Sequence, residues 1–417
     1  MMNSKSNFIL NNSSKILFAT FSPWVNGKRL PTNGSVEPLR NFLTERIHKL
    51  VLIDQVTPGS DFVIPRIEVF EKNHVMKLMK PSLLILLLQP FLKHRNIPGK
   101  TYIFYKIRDF LTVLDWGIKS KDRYDFFIGL ESINTIAALV LKKLGIVKKV
   151  IYYVSDYSPK RYPDGWFNSI YLWLDRLSAS HSDYIWDVSK AIQPARIACG
   201  LNPSKSAIVI HVPNGVYPKQ IGQEKMKNIL PHSLIYMGTL GLENGPDLII
   251  SALPVLKKTY TDLQLDIIGG SLADINKLKL LAKKLGVAKH VVFHGVIPNS
   301  VTMSKIIRKR SIALATYRNI PGSPRYFGDA GKIRAYCASG LPVITTDVPP
   351  LGKEIVDFGA GLMIKDNITD LTKAVNTLFS NKRLFMKMRK KSLEFARTNT
   401  WNNEFLKAFT KIDKYEN

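Results

Sequence analysis

Short runs of β-branched and aromatic residues alternate along the chain with longer stretches whose apolar positions recur at helical spacing. In the first half, 15–21, 50–54, 125–129, 150–154, 184–188 and 207–211 read as strands. Between them, 132–144 reads as an amphipathic helix stopped by Gly145. The second half is more regular. Strands at 233–238, 265–269, 291–294, 312–315, 341–345 and 362–364 are spaced by helices at 246–257, 274–285, 331–338, 369–378 and 382–396. Strand–helix alternation at this spacing predicts parallel, doubly wound α/β sheets. A chain of 417 residues is too long for one ordinary core and suits two domains. Pro213, Gly215 and Pro218 cluster between the halves. The expected division is therefore 1–217, 218–398 and a closing segment 399–417.

Composition changes this picture in two respects. The formal charge is +28, so an anionic partner is expected: a phosphorylated substrate, an anionic membrane surface or a nucleic acid. No zinc-finger or RNP-like motif accompanies the basic groups, so nucleic acid is not expected as a partner. The two cysteines, Cys199 and Cys337, form no spaced pair, and the eight histidines show no metal-site spacing. No metal or cofactor is expected, and a reducing cytoplasm is the expected location. Residues 1–14 lack the apolar core of a secretory signal. The most apolar run, 83–92, contains Pro90 and is too short to span a bilayer. It suits either a buried helix or a segment lying in the membrane interface, with Lys93 and Arg95 on headgroups. The second option makes the protein peripheral on the inner face of the cell membrane.

Ligands of open parallel sheets bind beyond the C-terminal strand ends, so the loops there carry the candidate chemistry. The loop 22–35, with Gly27, Asn33 and Gly34, is neither a GxGxxG nor a Walker loop, which argues against a dehydrogenase and a P-loop ATPase. Asp156 ends the strand 150–154, where a carboxylate can act as a base or hold a hydroxyl. It can also simply cap a turn. Gly238-Thr239 and Gly269-Gly270 end strands of the second half and let a phosphate or ribose approach the backbone. The richest segment, 325–347, reads RYFGDAGKIRAYCASGLPVITTD. Its loop enters a helix near Asp329, with Lys332 in the first turn. A helix N-terminus attracts anions, so a lysine there opposes the helix dipole unless it meets one. A departing nucleoside diphosphate is such an anion.

These segments resemble the GT-B glycosyltransferases, and in particular the retaining "group 1" type, from about residue 183 onward. The resemblance is carried by Val212-Pro213-Asn214-Gly215-Val216, 235–239, 267–270, Phe293-His294-Gly295, 332–345 and Glu354-Ile355-Val356 in that order. It implies two Rossmann-like domains facing a cleft, with a C-terminal helix crossing back to the first. It implies transfer of a sugar from a nucleotide-sugar donor to a glycan or lipid-linked acceptor, in bacterial-type surface polysaccharide or glycolipid synthesis. The second domain would bind the donor through Gly238, Thr239, Gly270, Gly295, Arg325, Asp329, Lys332 and Glu354. The first would bind the acceptor through Gly27, Asn33, Gly34 and Glu131. Asp156 and Lys332 are the catalytic candidates. No Asp-x-Asp triplet occurs, so the expected chemistry is metal-independent and, by resemblance, retaining. The sequence departs from the family where a Gly-Arg-Leu-x-x-x-Lys-Gly run is usual: Thr239 and Asn244 replace its two cations. A pair of glutamates eight apart is replaced by Phe327 and Ala335. A non-catalytic GT-B scaffold for a partner transferase is the alternative.

Overall fold

The computed structural model describes residues 9–30, 34–71, 74–79, 83–87, 90, 92, 100–163 and 165–416. The chain divides into two compact units, Met1–Pro213 with Glu404–Asn417, and Asn214–Asn403. Each unit contains one doubly wound sheet.

In the first unit the strands are β1 (Lys15–Ser22), β2 (Trp24–Val25), β3 (Lys28–Arg29), β4 (Lys49–Val56), β5 (Arg66–Glu71), β6 (His74–Met79), β7 (Tyr124–Leu130), β8 (Val147–Val154), β9 (Tyr184–Asp187) and β10 (Ile208–His211). The helices are α1 (Val36–Thr44), α2 (Leu83–Leu87), α3 (Lys100–Lys119), α4 (Glu131–Lys143), α5 (Gly165–His181) and α6 (Ile192–Ala198). Eight strands form one sheet in the order β10-β9-β8-β7-β1-β4-β5-β6. All pair parallel except β5, which is antiparallel to β4 and β6. That antiparallel extension was not foreseen from the hydrophobic pattern. The sheet reverses its winding between β1 and β7, so the ligand crevice of this unit lies at their C-terminal ends. Gly129 in β7 lets α4 pack directly on the strand, since a Cβ there would lie 2.6 Å from Thr135 Oγ1. The expected loop after β1 is instead the hairpin β2–β3, turned by Asn26 (φ 52°) and Gly27 (φ 68°), the Asn-Gly signature of such turns. The C-terminal helix, Trp401–Glu416, belongs from Glu404 onward to this unit, where Phe405 and Phe409 pack on Phe42 and Trp186.

The second unit contains β11 (Ser233–Met237), β12 (Gln264–Ile268), β13 (Val291–Gly295), β14 (Ile312–Ala315), β15 (Val343–Thr346) and β16 (Gly361–Ile364). Its helices are α7 (Pro246–Leu256), α8 (Leu272–Lys284), α9 (Ser300–Arg308), α10 (Gly331–Ala338), α11 (Pro350–Asp357), α12 (Ile368–Ser380) and α13 (Lys382–Thr398). The sheet runs β13-β12-β11-β14-β15-β16, with all pairs parallel. Successive β11 residues feed opposite cores: Leu234 and Tyr236 join Leu248, Ile267 and Val375, whereas Ile235 joins Ile333, Tyr336 and Val343. The strand order reverses between β11 and β14, which marks the ligand crevice of this unit. Among the described residues, no helix is long and apolar enough to cross a membrane.

Candidate functional site

Tyr336 and Lys332 lie one turn apart on α10 and therefore share a face. That face is turned to the point where β11 and β14 separate. The Tyr336 hydroxyl accepts the Met237 N–H at 2.6 Å and donates to the Leu314 carbonyl at 3.3 Å. It thereby ties together the two strands that border the crevice. Tyr336→Phe leaves the Met237 N–H without this partner, at an expected cost of about 1–3 kcal/mol, to be read from thermal unfolding.

Lys332 lies over the end of β11. A Cβ on Gly238 would sit 3.2 Å from Lys332 Cε, and Gly238 itself has φ 134°, so both the space and the backbone call for glycine. The ammonium donates to the Tyr236 hydroxyl at 2.9 Å, and that hydroxyl donates to the Thr239 carbonyl at 2.6 Å. Lys332 Nζ also lies 4.2 Å from the Tyr236 ring centroid and 4.6 Å from that of Tyr317. Among the described residues, no carboxylate comes within ion-pair distance of it. Burial, reinforced by the neighbouring Arg325 guanidinium and opposed by Glu243, pushes the Lys332 ammonium down to about 7. No side chain caps the start of α10. Buried cation, uncapped helix end and glycine-edged strand together form an arrangement that can accept an anion such as a diphosphate.

The remaining donor candidates lie around this centre at different ranks. Thr239 is exposed, and its Oγ1 accepts from Asn244 Nδ2 at 2.9 Å. The two neutral residues at the usual cation positions thus bond each other. Arg325 reaches Glu243 at 2.7 Å, which neutralises much of its charge. Asp329 is committed within the unit: it grips Arg334 at 2.8 and 3.0 Å and accepts the Asn214 N–H at 2.7 Å. Gly270 and Gly295 carry φ of 83° and 65° at the ends of β12 and β13, and the Gly295 carbonyl accepts the Gly269 N–H at 2.7 Å. Glu354 is half-buried on α11. Tyr236 and Tyr317 were not foreseen, because aromatic residues at strand ends read as core. The one available signal was a tyrosine, with its polar handle, where a leucine would fill the same space.

In the first unit, three polar residues come together beyond β7 and β8. Arg161 lies 3.2 Å from the exposed Asp156 carboxylate and 4.0 Å from that of Glu131. Glu131 opens α4 with φ 67°, a conformation unusual outside glycine. Burial raises its carboxyl above the ordinary carboxylate range, against the pull of Arg161. Gly27 is exposed in its hairpin and donates to Asp61 at 3.0 Å, and Gly34 is exposed before α1. Asn33 lies outside the described residues, as do Lys93 and Arg95. Of the apolar run 83–92, Ile85 is buried while Leu86 and Leu87 are exposed.

With this geometry established, residues 219–397 match the family model described as glycosyl transferases group 1. Nearly the whole of the second unit thus resembles a group 1 glycosyltransferase domain. A curated relative, an uncharacterized glycosyltransferase from Haemophilus influenzae, is 28% identical over 191 residues, or 45% of this chain. The match spans only half of that relative's length. Solved structures resemble the whole chain. Sucrose-phosphate synthase from Thermosynechococcus elongatus has a TM-score of 0.70 at 13% identity, over 96% of this chain and 99% of its own. HepE from Anabaena, in complex with UDP, has a TM-score of 0.65 at 14% identity, over 95% and 100%. WaaG, a glycosyltransferase involved in lipopolysaccharide biosynthesis, has a TM-score of 0.61 at 15% identity, over 94% and 98%. At these identities the structural likeness shows the fold alone, which is GT-B, while the family match concerns residues 219–397.

Proposed function

We propose that this protein transfers a sugar from a nucleotide-sugar donor to a glycan or lipid-linked acceptor. The group 1 domain holds the donor, and the first unit holds the acceptor. The observation that carries the reading is Lys332, a buried ammonium facing tyrosine rings and a glycine-edged strand end instead of a carboxylate. The donor diphosphate supplies the missing counter-charge. As the sugar leaves, negative charge grows on that diphosphate, and Lys332 with the α10 N-terminus stabilises it. These groups supply the needed charge from the protein itself, which is why we read the reaction as metal-independent. The UDP bound by HepE favours a uridine nucleotide, and the role of WaaG favours a surface-glycan or glycolipid acceptor. Retention of configuration follows from the group 1 resemblance.

A panel of UDP-, GDP-, ADP- and CMP-sugars tests the proposal through nucleotide release. At least one donor is expected to be turned over, even slowly to water. Calorimetry that finds no binding to any member would overturn the proposal in favour of the scaffold alternative, which the neutral Thr239–Asn244 pair would then explain.

A further inference from the structure

Beside the Glu131–Arg161 pair, the first unit contains a cavity of about 420 Å³. This falls within the roughly 300–1,000 Å³ of small-molecule sites. Ile107 and Phe110 of α3, Ile133 and Ile136 of α4, and Trp166 and Ile170 of α5 form its apolar wall. Glu131 and Lys106 also line it, and they are its charged groups. Glu131 Oε1 is buried with no hydrogen-bond partner among the described residues. An unpartnered carboxyl oxygen on a left-handed backbone is costly on two counts, and such costs gather where a ligand is handled. The apolar wall continues outside the cavity. Trp166, Ile170 and Trp173 recur at helical spacing along α5, with Trp166 62% and Trp173 54% exposed. Ile103 and Ile107 do the same on α3. This accounts for the illegibility of α3 and α5 in the sequence: both carry apolar residues on more than one face.

We infer that the cavity holds the hydrocarbon chain of a lipid-phosphate acceptor, with the phosphate at the Lys106 and Arg161 end. This rests on the acceptor role proposed for the first unit, and it narrows that acceptor to one carried on a lipid. The apolar stripe on α3 and α5 leads the chain in from outside, and the basic groups match the charge of its phosphate. The acceptor hydroxyl meets Glu131 where the cavity turns polar.

Dodecyl phosphate and butyl phosphate, titrated into the full chain by calorimetry, test this directly. Each buried methylene strengthens binding about fourfold, so burial of only about three or four of the eight extra methylenes makes dodecyl phosphate bind on the order of 100-fold more tightly than butyl phosphate, and that is the smallest gain expected. Ile107→Glu, at the exposed mouth, and Ile136→Trp, inside, are each expected to weaken dodecyl phosphate at least about tenfold while leaving UDP binding unchanged. Equal affinity for the two phosphates would overturn the proposal, as would wild-type affinity for dodecyl phosphate in both variants. Binding to anionic vesicles without binding to dodecyl phosphate would also overturn it, assigning the stripe to a membrane surface. Loss of UDP binding in the wild type, with chain-length dependence intact, would count against the donor reading and leave the cavity assignment standing.

Discussion

Replacing Lys332 with methionine is expected to lower donor turnover by about two to three orders of magnitude while making the ligand-free protein more stable. The two effects have one cause. The ammonium is held against tyrosine rings and, among the described residues, outside ion-pair distance of any carboxylate, where the proposed diphosphate would pair with it. Its folded pKa of about 7 lies below the ordinary 10.5. The folded state therefore bears the full cost of the buried charge below pH 7. Between pH 7 and 10.5 the unfolded chain holds the proton more tightly than the folded one, so wild-type stability rises with pH across that window. The stability gained by Lys332→Met is accordingly largest below pH 7, roughly a few kcal/mol, and fades as pH approaches 10.5. Thermal unfolding of both proteins at several pH values, beside kcat/KM for the donor, measures both halves. A variant that loses stability and keeps turnover would contradict the assignment.

Gly245→Ala is expected to destabilise the second unit by about 2–5 kcal/mol. Gly245 has φ 69° and precedes α7. A Cβ there would fall 1.7 Å from the Thr316 carbonyl oxygen, closer than any contact can be, and the obstacle is backbone. The Thr316 hydroxyl in turn donates to the Gly245 carbonyl at 2.8 Å. The start of α7 is thus seated directly on the end of β14, at the border of the crevice between β11 and β14. Gly328→Ala is the matched control, since its nearest new contact would be at 3.8 Å, and it is expected to shift stability by no more than about 0.5 kcal/mol. Thermal unfolding of the two variants decides, and equal midpoints would contradict the reading.

The second unit was legible because its strands are apolar on both faces and several of its helices announce their starts. Ser271, Asn367 and Asn381 cap α8, α12 and α13 through their side chains. Helix α9 carries the same signal in Asn299, whose side chain accepts from Val301 and Thr302, yet its mixed composition concealed it. The first unit was less legible. Its antiparallel β5–β6 edge breaks the alternation, and α3 and α5 lack a single apolar stripe. Within the site, Lys332 could be singled out because a cation in a first helical turn needs an explanation. Tyr236 and Tyr317 could not, because their rings are indistinguishable from core in a strand pattern. The engagement of Asp329 with Arg334, and of Asp156 with Arg161, depends on side chains brought together by folding, and no local spacing reports it.

Proton uptake on binding UDP-glucose tests the donor assignment most directly. It is measured by calorimetry at pH 8 in buffers of different ionisation enthalpy. With a free-state pKa of about 7, Lys332 is mostly neutral at that pH, and a diphosphate against it must restore the charge. The wild type is therefore expected to take up most of one proton on binding, and Lys332→Arg, whose guanidinium is always charged, none. Binding of UDP-glucose with no proton uptake in the wild type, or with the same uptake in Lys332→Arg, would contradict the placement of the diphosphate on Lys332.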